Sequence, residues 1–245
     1  MPKRPDYGPN YGIDAPGVLL MLLLLGVLGQ ILGLFAPPLK IGPLTIVFGL
    51  SMQIFGGIFL LEALLMWIYV KWGKLRHRDR MLAQVAWTGS ERVLDVGTGR
   101  GLLMIGAAKR LTTGRAVGID IWSTKDLSGN APERTRENIE IEGVSGRCEL
   151  LSEDAGKMSF PDGSFHVILS NLCIHNIPGR MGRDRACREI ARVLRAGGMA
   201  VISDYKLTRT YAAVFAGLGF AVEWRGPFWF DTFPPLKIFV ARKPL

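Results

Sequence analysis

Cysteine is scarce in this chain: Cys148, Cys173 and Cys187 are its only 3 in 245 residues, and none lies in a C-x-x-C spacing. An odd, scattered set argues against a disulfide framework and against a thiolate metal site, and fits reduced thiols in a cytosolic domain. The 3 histidines are equally scattered, so no structural metal is expected. There is no internal repeat and no low-complexity tract. Charge is missing over two long runs, Ala15 to Leu39 and Ile41 to Leu61. A helix crossing the ~30 Å hydrocarbon layer needs about 20 mostly apolar residues, and both runs meet that. Pro37, Pro38, Gly42 and Pro43 lie between them, so the chain should turn there and return as a helical hairpin. The first run exceeds a typical signal core and a second span follows at once, which argues against a cleaved signal. Neither run has the polar face that a buried soluble hairpin would need.

Basic residues near span ends set orientation. Lys3 and Arg4 precede the first run and only Lys40 sits in the turn, while Lys71, Lys74, Arg76, Arg78 and Arg80 follow the second. Both termini are therefore expected on the cytoplasmic side. Trp67, Tyr69 and Trp72 read as interfacial anchors, and Glu62 as an interfacial group or one facing Gln30. Much of the net charge of +9 belongs to this basic cluster and suits anionic lipid headgroups. No helix-turn-helix, zinc-finger or RNA-recognition pattern supports a nucleic-acid partner.

Val93-Leu94-Asp95-Val96-Gly97-Thr98-Gly99-Arg100-Gly101 is the most informative stretch. A short apolar run ends in an acid, and glycines follow at alternate positions where backbone must approach a ligand. The third glycine of a dinucleotide fingerprint should fall at position 102, which is leucine. Asp95 is a poor neighbour for a pyrophosphate and suits a ligand carrying an ammonium and a sulfonium. That combination points to S-adenosylmethionine.

Beyond the turn, strands and helices alternate. Leu102 to Leu111 reads as a helix, Arg115 to Asp120 as a strand, and Ala131 to Glu142 as a helix. Arg147 to Ser152 and Phe165 to Ser170 read as strands. Asp184 to Leu194 is a helix closed by Ala196-Gly197-Gly198, and Met199 to Ser203 a fifth strand. Thr210 to Leu218 is a last helix, with Ala221 to Arg225 and Lys237 to Arg242 as an antiparallel addition at one edge. The expected fold is α/β, a Rossmann-like seven-stranded mainly parallel sheet with helices on both faces, preceded by two transmembrane helices. The expected domains are a membrane anchor over 1–70 (spans 17–36 and 44–70), a basic linker helix over 71–90 and the sheet domain over 91–245. In such sheets ligands sit outside the carboxyl ends of the strands.

Asp95-Val-Gly-Thr-Gly-Arg-Gly101, Gly118-Ile-Asp120, Asp154-Ala155 and Arg192-Val-Leu-Arg-Ala-Gly-Gly198, in that order, resemble class I S-adenosylmethionine-dependent methyltransferases. The likeness covers about Arg92 to Asp204 and is greatest to the small-molecule and quinone-type branch. It implies a turn of Gly97, Thr98, Gly99 and Gly101 under the methionine portion and ribose, with Asp95 toward the methionine ammonium. It implies Asp120 accepting from both ribose hydroxyls, Ile121 against the adenine face, and Asp154 and the Ala155 N–H at the adenine edge. Asn171, just past the fourth strand, is placed beside the cofactor. Members often carry Phe-Asp before the fourth strand where this chain has Phe165-His166. The loop Trp122 to Asn130 is longer and more polar than the likeness accounts for.

His175 is the candidate base, since it can titrate near neutrality; Asp204 and Tyr205 are weaker candidates. The expected partners are the membrane and a lipophilic small-molecule acceptor, a quinone precursor or a lipid. Trp224, Phe228, Trp229, Phe230 and Phe233 either line an apolar pocket, dip into the interface or simply pack. Two alternatives stand beside this reading: an enzyme for a soluble acceptor with the hairpin only for location, and a non-catalytic membrane scaffold.

Overall fold

The computed structural model describes residues 8–245, so Lys3 and Arg4 lie outside the described residues. Helix α1 (Pro16–Phe35) opens with Pro16 in its first turn, where a missing N–H costs nothing. Strands β1 (Leu39–Ile41) and β2 (Leu44–Ile46) then form an antiparallel ribbon around Gly42-Pro43, so the expected turn carries a small sheet of its own. Helix α2 (Phe48–Ile68) returns alongside α1. The two pack through glycine. A Cβ on Gly29 would lie 2.9 Å from Gly56 Cα, and one on Gly33 2.7 Å from Gly49 O, so the backbones touch almost directly. Such close approach suits helices that associate by van der Waals contact in an apolar medium. Gln30 Nε2 donates to Gln53 O across the pair. Both helices are long and apolar enough to cross a membrane, and only 22% of each apolar window is buried.

The second helix does not stop at the end of α2. It runs through a π turn (Tyr69–Gly73) into α3 (Lys74–Leu82). Trp67 and Trp72 are exposed as expected, but Tyr69 is 3% exposed and turns into the domain. The basic stretch is also split: Lys71 and Arg76 face outward, while Lys74 and His77 are buried. Met81, Leu82 and Val85 pack into the core, whereas Ala86 is exposed.

The sheet consists of β3 (Arg92–Val96), β4 (Arg115–Asp120), β5 (Cys148–Ser152), β6 (Phe165–Asn171), β7 (Leu194–Asp204), β8 (Ala221–Phe228) and β9 (Leu236–Arg242). Its order is β5-β4-β3-β6-β7-β9-β8, with the first five strands parallel and β9 and β8 antiparallel. Alternation along the strands sorts side chains onto two faces. Leu94, Ile168, Ile202 and Phe239 join α6 (Gly179–Val193) and α7 (Thr208–Gly217) on one face. Val93, Val167, Val201 and Ile238 join α3, α4 (Leu102–Ala108) and α5 (Pro132–Ile141) on the other. Burying each such side chain stabilises the fold by roughly 1.5–3 kcal/mol.

Helix α6 begins five residues before the expected Asp184, because Gly179 to Arg183 is solvent-facing and has no apolar periodicity to read. Ala196-Gly197-Gly198 lies inside β7 rather than ahead of it. The register passes from Phe165↔Leu194 to Val167↔Met199, so these residues form a bulge. His166 takes up the place of the missing acid as an acceptor: Arg92 N donates to its Nδ1 at 3.1 Å.

Candidate active site

The chain reverses strand order on either side of β3, so a crevice opens beyond its carboxyl end. The glycine turn fills that position. Gly97, Gly99 and Gly101 all have positive φ, and a Cβ on Gly97 would collide with Cys173 Sγ. Asp95 is 2% exposed. Its Oδ2 accepts from Thr98 Oγ1 at 2.8 Å and from Met104 N at 2.9 Å, tying the strand to the turn and to α4. Burial pushes its carboxyl up to about 7, only partly opposed by those two hydrogen bonds.

Asp120 is already engaged at both oxygens. Its Oδ2 accepts from Gly99 N at 2.8 Å, and its Oδ1 from Trp122 N at 2.7 Å and Asn130 Nδ2 at 3.2 Å. It therefore shapes the glycine turn as well as facing the crevice. Ile121 beside it is 71% exposed, an apolar surface of the kind a flat ring would cover. Asp154 is exposed at the end of β5, with Oδ1 accepting from Gly156 N at 2.7 Å; Ala155 is half-buried. Asp95, Asp120 and Asp154 thus follow three adjacent parallel strands at one sheet edge. Asn171 completes the row at the end of β6, and its buried Oδ1 has no hydrogen-bond partner among the described residues.

His175 is paired. Its Nδ1 lies 3.0 Å from Asp204 Oδ2 and 2.9 Å from Oδ1, and its ring meets Tyr205 edge-on. Asp204 is 1% exposed and also accepts from Tyr205 N. A buried carboxylate on Nδ1 favours the tautomer with its proton there, leaving Nε2 to accept one. Leu172, between Asn171 and this pair, has φ of 52° and sits in the left-handed region that a bulky residue rarely adopts. Among the described residues, no group of acids, histidines and cysteines has metal-site geometry.

The loop Trp122 to Asn130 also finds its partner here. The chain ahead of α1 crosses it as a strap: Asp14 bridges Leu127, Ser128 N donates to Ile13 O and Ala15 N to Asp126 O. Asn10 bonds with Asn138 of α5, and Arg100 of the glycine turn donates to Asn10 O. Lys74 fastens the strap from the far side, donating to Tyr11 O and Gly12 O and pairing with Asp14 at 2.7 Å. No local pattern in the sequence announces these contacts.

A depression of about 290 Å³ lies apart from the crevice, between Arg76 and Arg80 of α3 and Phe228 to Asp231. Arg80 pairs with Asp231 and stacks on Phe228 at 4.0 Å, and Phe233 packs against Ala63 and Met66. Trp229 and Phe230 remain exposed. The aromatic segment is therefore partly packing and partly a free apolar tip.

Residues 93–198 match the model of a family described as a methyltransferase domain. A phosphatidylethanolamine N-methyltransferase of Cereibacter sphaeroides is 33% identical over 128 residues, 52% of this chain and 57% of that one. A ubiquinone/menaquinone biosynthesis C-methyltransferase of Hydrogenovibrio crunogenus is 30% identical over 123 residues, 49% of this chain and 45% of that one. A sterol 4-C-methyltransferase of Caenorhabditis elegans is 30% identical over 118 residues, covering 48% and 32%. The chain thus spans a third to just over half of these relatives. A solved S-adenosylmethionine-dependent methyltransferase from Aquifex aeolicus superposes with TM-score 0.53 at 17% identity, over 67% of this chain and 88% of that one. The [4+2]-cyclase SpnF superposes with TM-score 0.57 at 18% identity, over 70% and 82%, so the fold alone does not dictate the reaction. Residues 93–198 thus match a methyltransferase domain, and the sheet has the fold of solved S-adenosylmethionine-dependent methyltransferases.

Proposed function

We propose that this chain is a membrane-anchored methyltransferase acting on a lipophilic acceptor, a quinone precursor or a lipid, from the cytoplasmic face. One observation carries the reading most: His77, nine residues beyond α2 on the same continuous helix, bonds Ser203 Oγ at 2.7 Å, and Ser203 adjoins Asp204 of the histidine pair. The candidate catalytic edge is held against the end of a helix whose other end is clothed in exposed leucine and isoleucine. Such a surface belongs in lipid rather than water. The curated relatives named for phosphatidylethanolamine, quinone and sterol methylation support an acceptor of this class.

The cofactor supplies an activated methyl group on a sulfonium. Gly97, Thr98, Gly99 and Gly101 would give it backbone to lie against, Asp95 and Asp120 would offer it carboxylates, and Ile121, Asp154 and Ala155 would hold the adenine. The fit rests on the glycine turn held at positive φ beyond β3 and on the uncovered face of Ile121. Asn171 borders cofactor and acceptor. His175 Nε2 takes the acceptor's proton while Asp204 holds the ring and steadies its positive charge, as a general base needs. Lys71, Arg76, Trp72, Trp229 and Phe230 form the interfacial belt. Supplying labelled S-adenosylmethionine to native membranes tests the proposal: label should enter a species extracted with the lipids. Label confined to water-soluble products would favour the soluble-acceptor alternative. Absence of cofactor binding in calorimetry would leave only a scaffold.

A further inference from the structure

Tyr69 is a buried tyrosine at the junction of the hairpin and the domain. It opens the π turn where α2 passes into α3, and its neighbours Trp67 and Trp72 face outward while it is buried. A π turn adds a residue to the local helical period and so re-aims the side chains it carries, which is why such turns gather at functional sites. The turn is fixed from outside: any Cβ on Gly73 would overlap Asp231 O, so the helix is pressed against the aromatic segment. It is fixed from inside by the His77–Ser203 hydrogen bond. Within this grip Tyr69 lies beside Asn171, the strand neighbour of Ser203, with the carboxylates of Asp14 and Asp204 near it. Asn171 Oδ1 is a buried acceptor with no donor among the described residues. An unmet acceptor of that kind is costly unless a ligand or water completes it.

We infer that Tyr69 and Asn171 form a polar clamp for a hydroxyl group on the lipophilic acceptor, held beside the His175–Asp204 pair. A hydroxyl both donates and accepts, so it can satisfy Asn171 Oδ1 and take the Tyr69 O–H. A purely apolar acceptor, or a quaternary headgroup without a nearby hydroxyl, would leave Asn171 unsatisfied. Tyr69 is thus a positioning residue carried by the membrane helix, and the site is incomplete without that helix. The inference rests on the proposed methyl transfer but predicts a binding contact that can be read separately.

The test uses the full chain in nanodiscs of phosphatidylcholine, with and without lipids extracted from the source membranes. Tyr69→Phe keeps the ring and removes only the hydroxyl. Label transfer from S-adenosylmethionine should fall roughly tenfold, the worth of one hydrogen bond, while S-adenosylhomocysteine affinity stays within about twofold. Transfer at the wild-type rate, or cofactor affinity falling in step with transfer, overturns the clamp. A ring needed only for packing would leave Tyr69→Phe active and harm Tyr69→Ala alone, which also overturns it. A second reading needs no turnover. With 3-fluorotyrosine at position 69, the fluorine resonance should move when the extracted lipids are present and not with S-adenosylhomocysteine alone. An unmoved resonance rejects the clamp even where wild-type protein transfers label. A moved resonance without any transfer keeps the clamp as a lipid site and removes methyl transfer instead.

Discussion

The helical hairpin and the sheet domain solve opposite problems. In the domain, apolar side chains alternate onto two buried faces and the polar groups gather at one edge. In the hairpin, the apolar side chains point outward and the contact between helices is made by glycine backbone. One region buries its apolar side chains and the other exposes them. They meet along α3, where Lys74, His77 and Arg80 each turn inward to bind strap, strand and aromatic segment. The lesson is that the seam, rather than either region alone, decides where the candidate site sits relative to the hairpin.

Substitutions confined to one side of that seam should leave the other untouched, and this can be broken by measurement. The largest expected effect is on chemistry. His175→Ala should lower label transfer by about 10²–10⁴, the contribution of a positioned base, with cofactor affinity and helix content unchanged. An unchanged rate would dispose of the base role. Asp120→Ala should weaken S-adenosylhomocysteine binding by roughly 1.5–3 kcal/mol, as for hydrogen bonds to a charged group. It should also lower the melting midpoint, since Gly99 N, Trp122 N and Asn130 lose their acceptor. Affinity falling with no thermal change would mean the turn is held otherwise.

Gly33→Leu should separate the two helices. Overpacking of this kind costs on the order of 1–3 kcal/mol, visible as weaker protection of α1 in hydrogen exchange, with cofactor affinity in the domain unaltered. A parallel loss of cofactor binding would show that the hairpin and the crevice are one cooperative unit. The smallest effect concerns Asp95. Its carboxyl is raised by burial to about 7, so the folded domain favours its protonated form. That contribution to stability is full at pH below its unfolded value and is lost as pH rises through the folded one. A cationic ammonium prefers the ionised acid, so cofactor affinity should rise with pH through that same range and proton release should accompany binding. Asp95→Asn should flatten the profile; a profile that stays steep would assign it to another group.

Much of this architecture is legible in the chain itself. The glycine turn, the acids after β4 and β5 and the two uncharged runs are local patterns, and local patterns survive being read one residue at a time. The last two strands, β9 and the edge strand β8, are readable for the same reason. What escapes is non-local. His175 and Asp204 are 29 residues apart and pair only because β6 and β7 are neighbours. The strap over Trp122 to Asn130 joins residues more than a hundred positions apart. Tyr69 reads as an interfacial aromatic beside Trp67 and Trp72, but the π turn carries it into the domain. The bulge at Arg195 to Gly198 mimics a loop since its glycines are the same residues a loop would use.

The most direct measurement places protein and acceptor in the same or in different bilayers. Nanodiscs carrying the protein and the extracted lipids are mixed with protein-free discs holding a distinguishable sample of those lipids, and labelled S-adenosylmethionine is added. If the crevice is fed along the seam, label appears in lipids sharing a disc with the protein and is nearly absent from the others. Equal labelling of both pools, at a rate faster than lipids exchange between discs, would contradict the account.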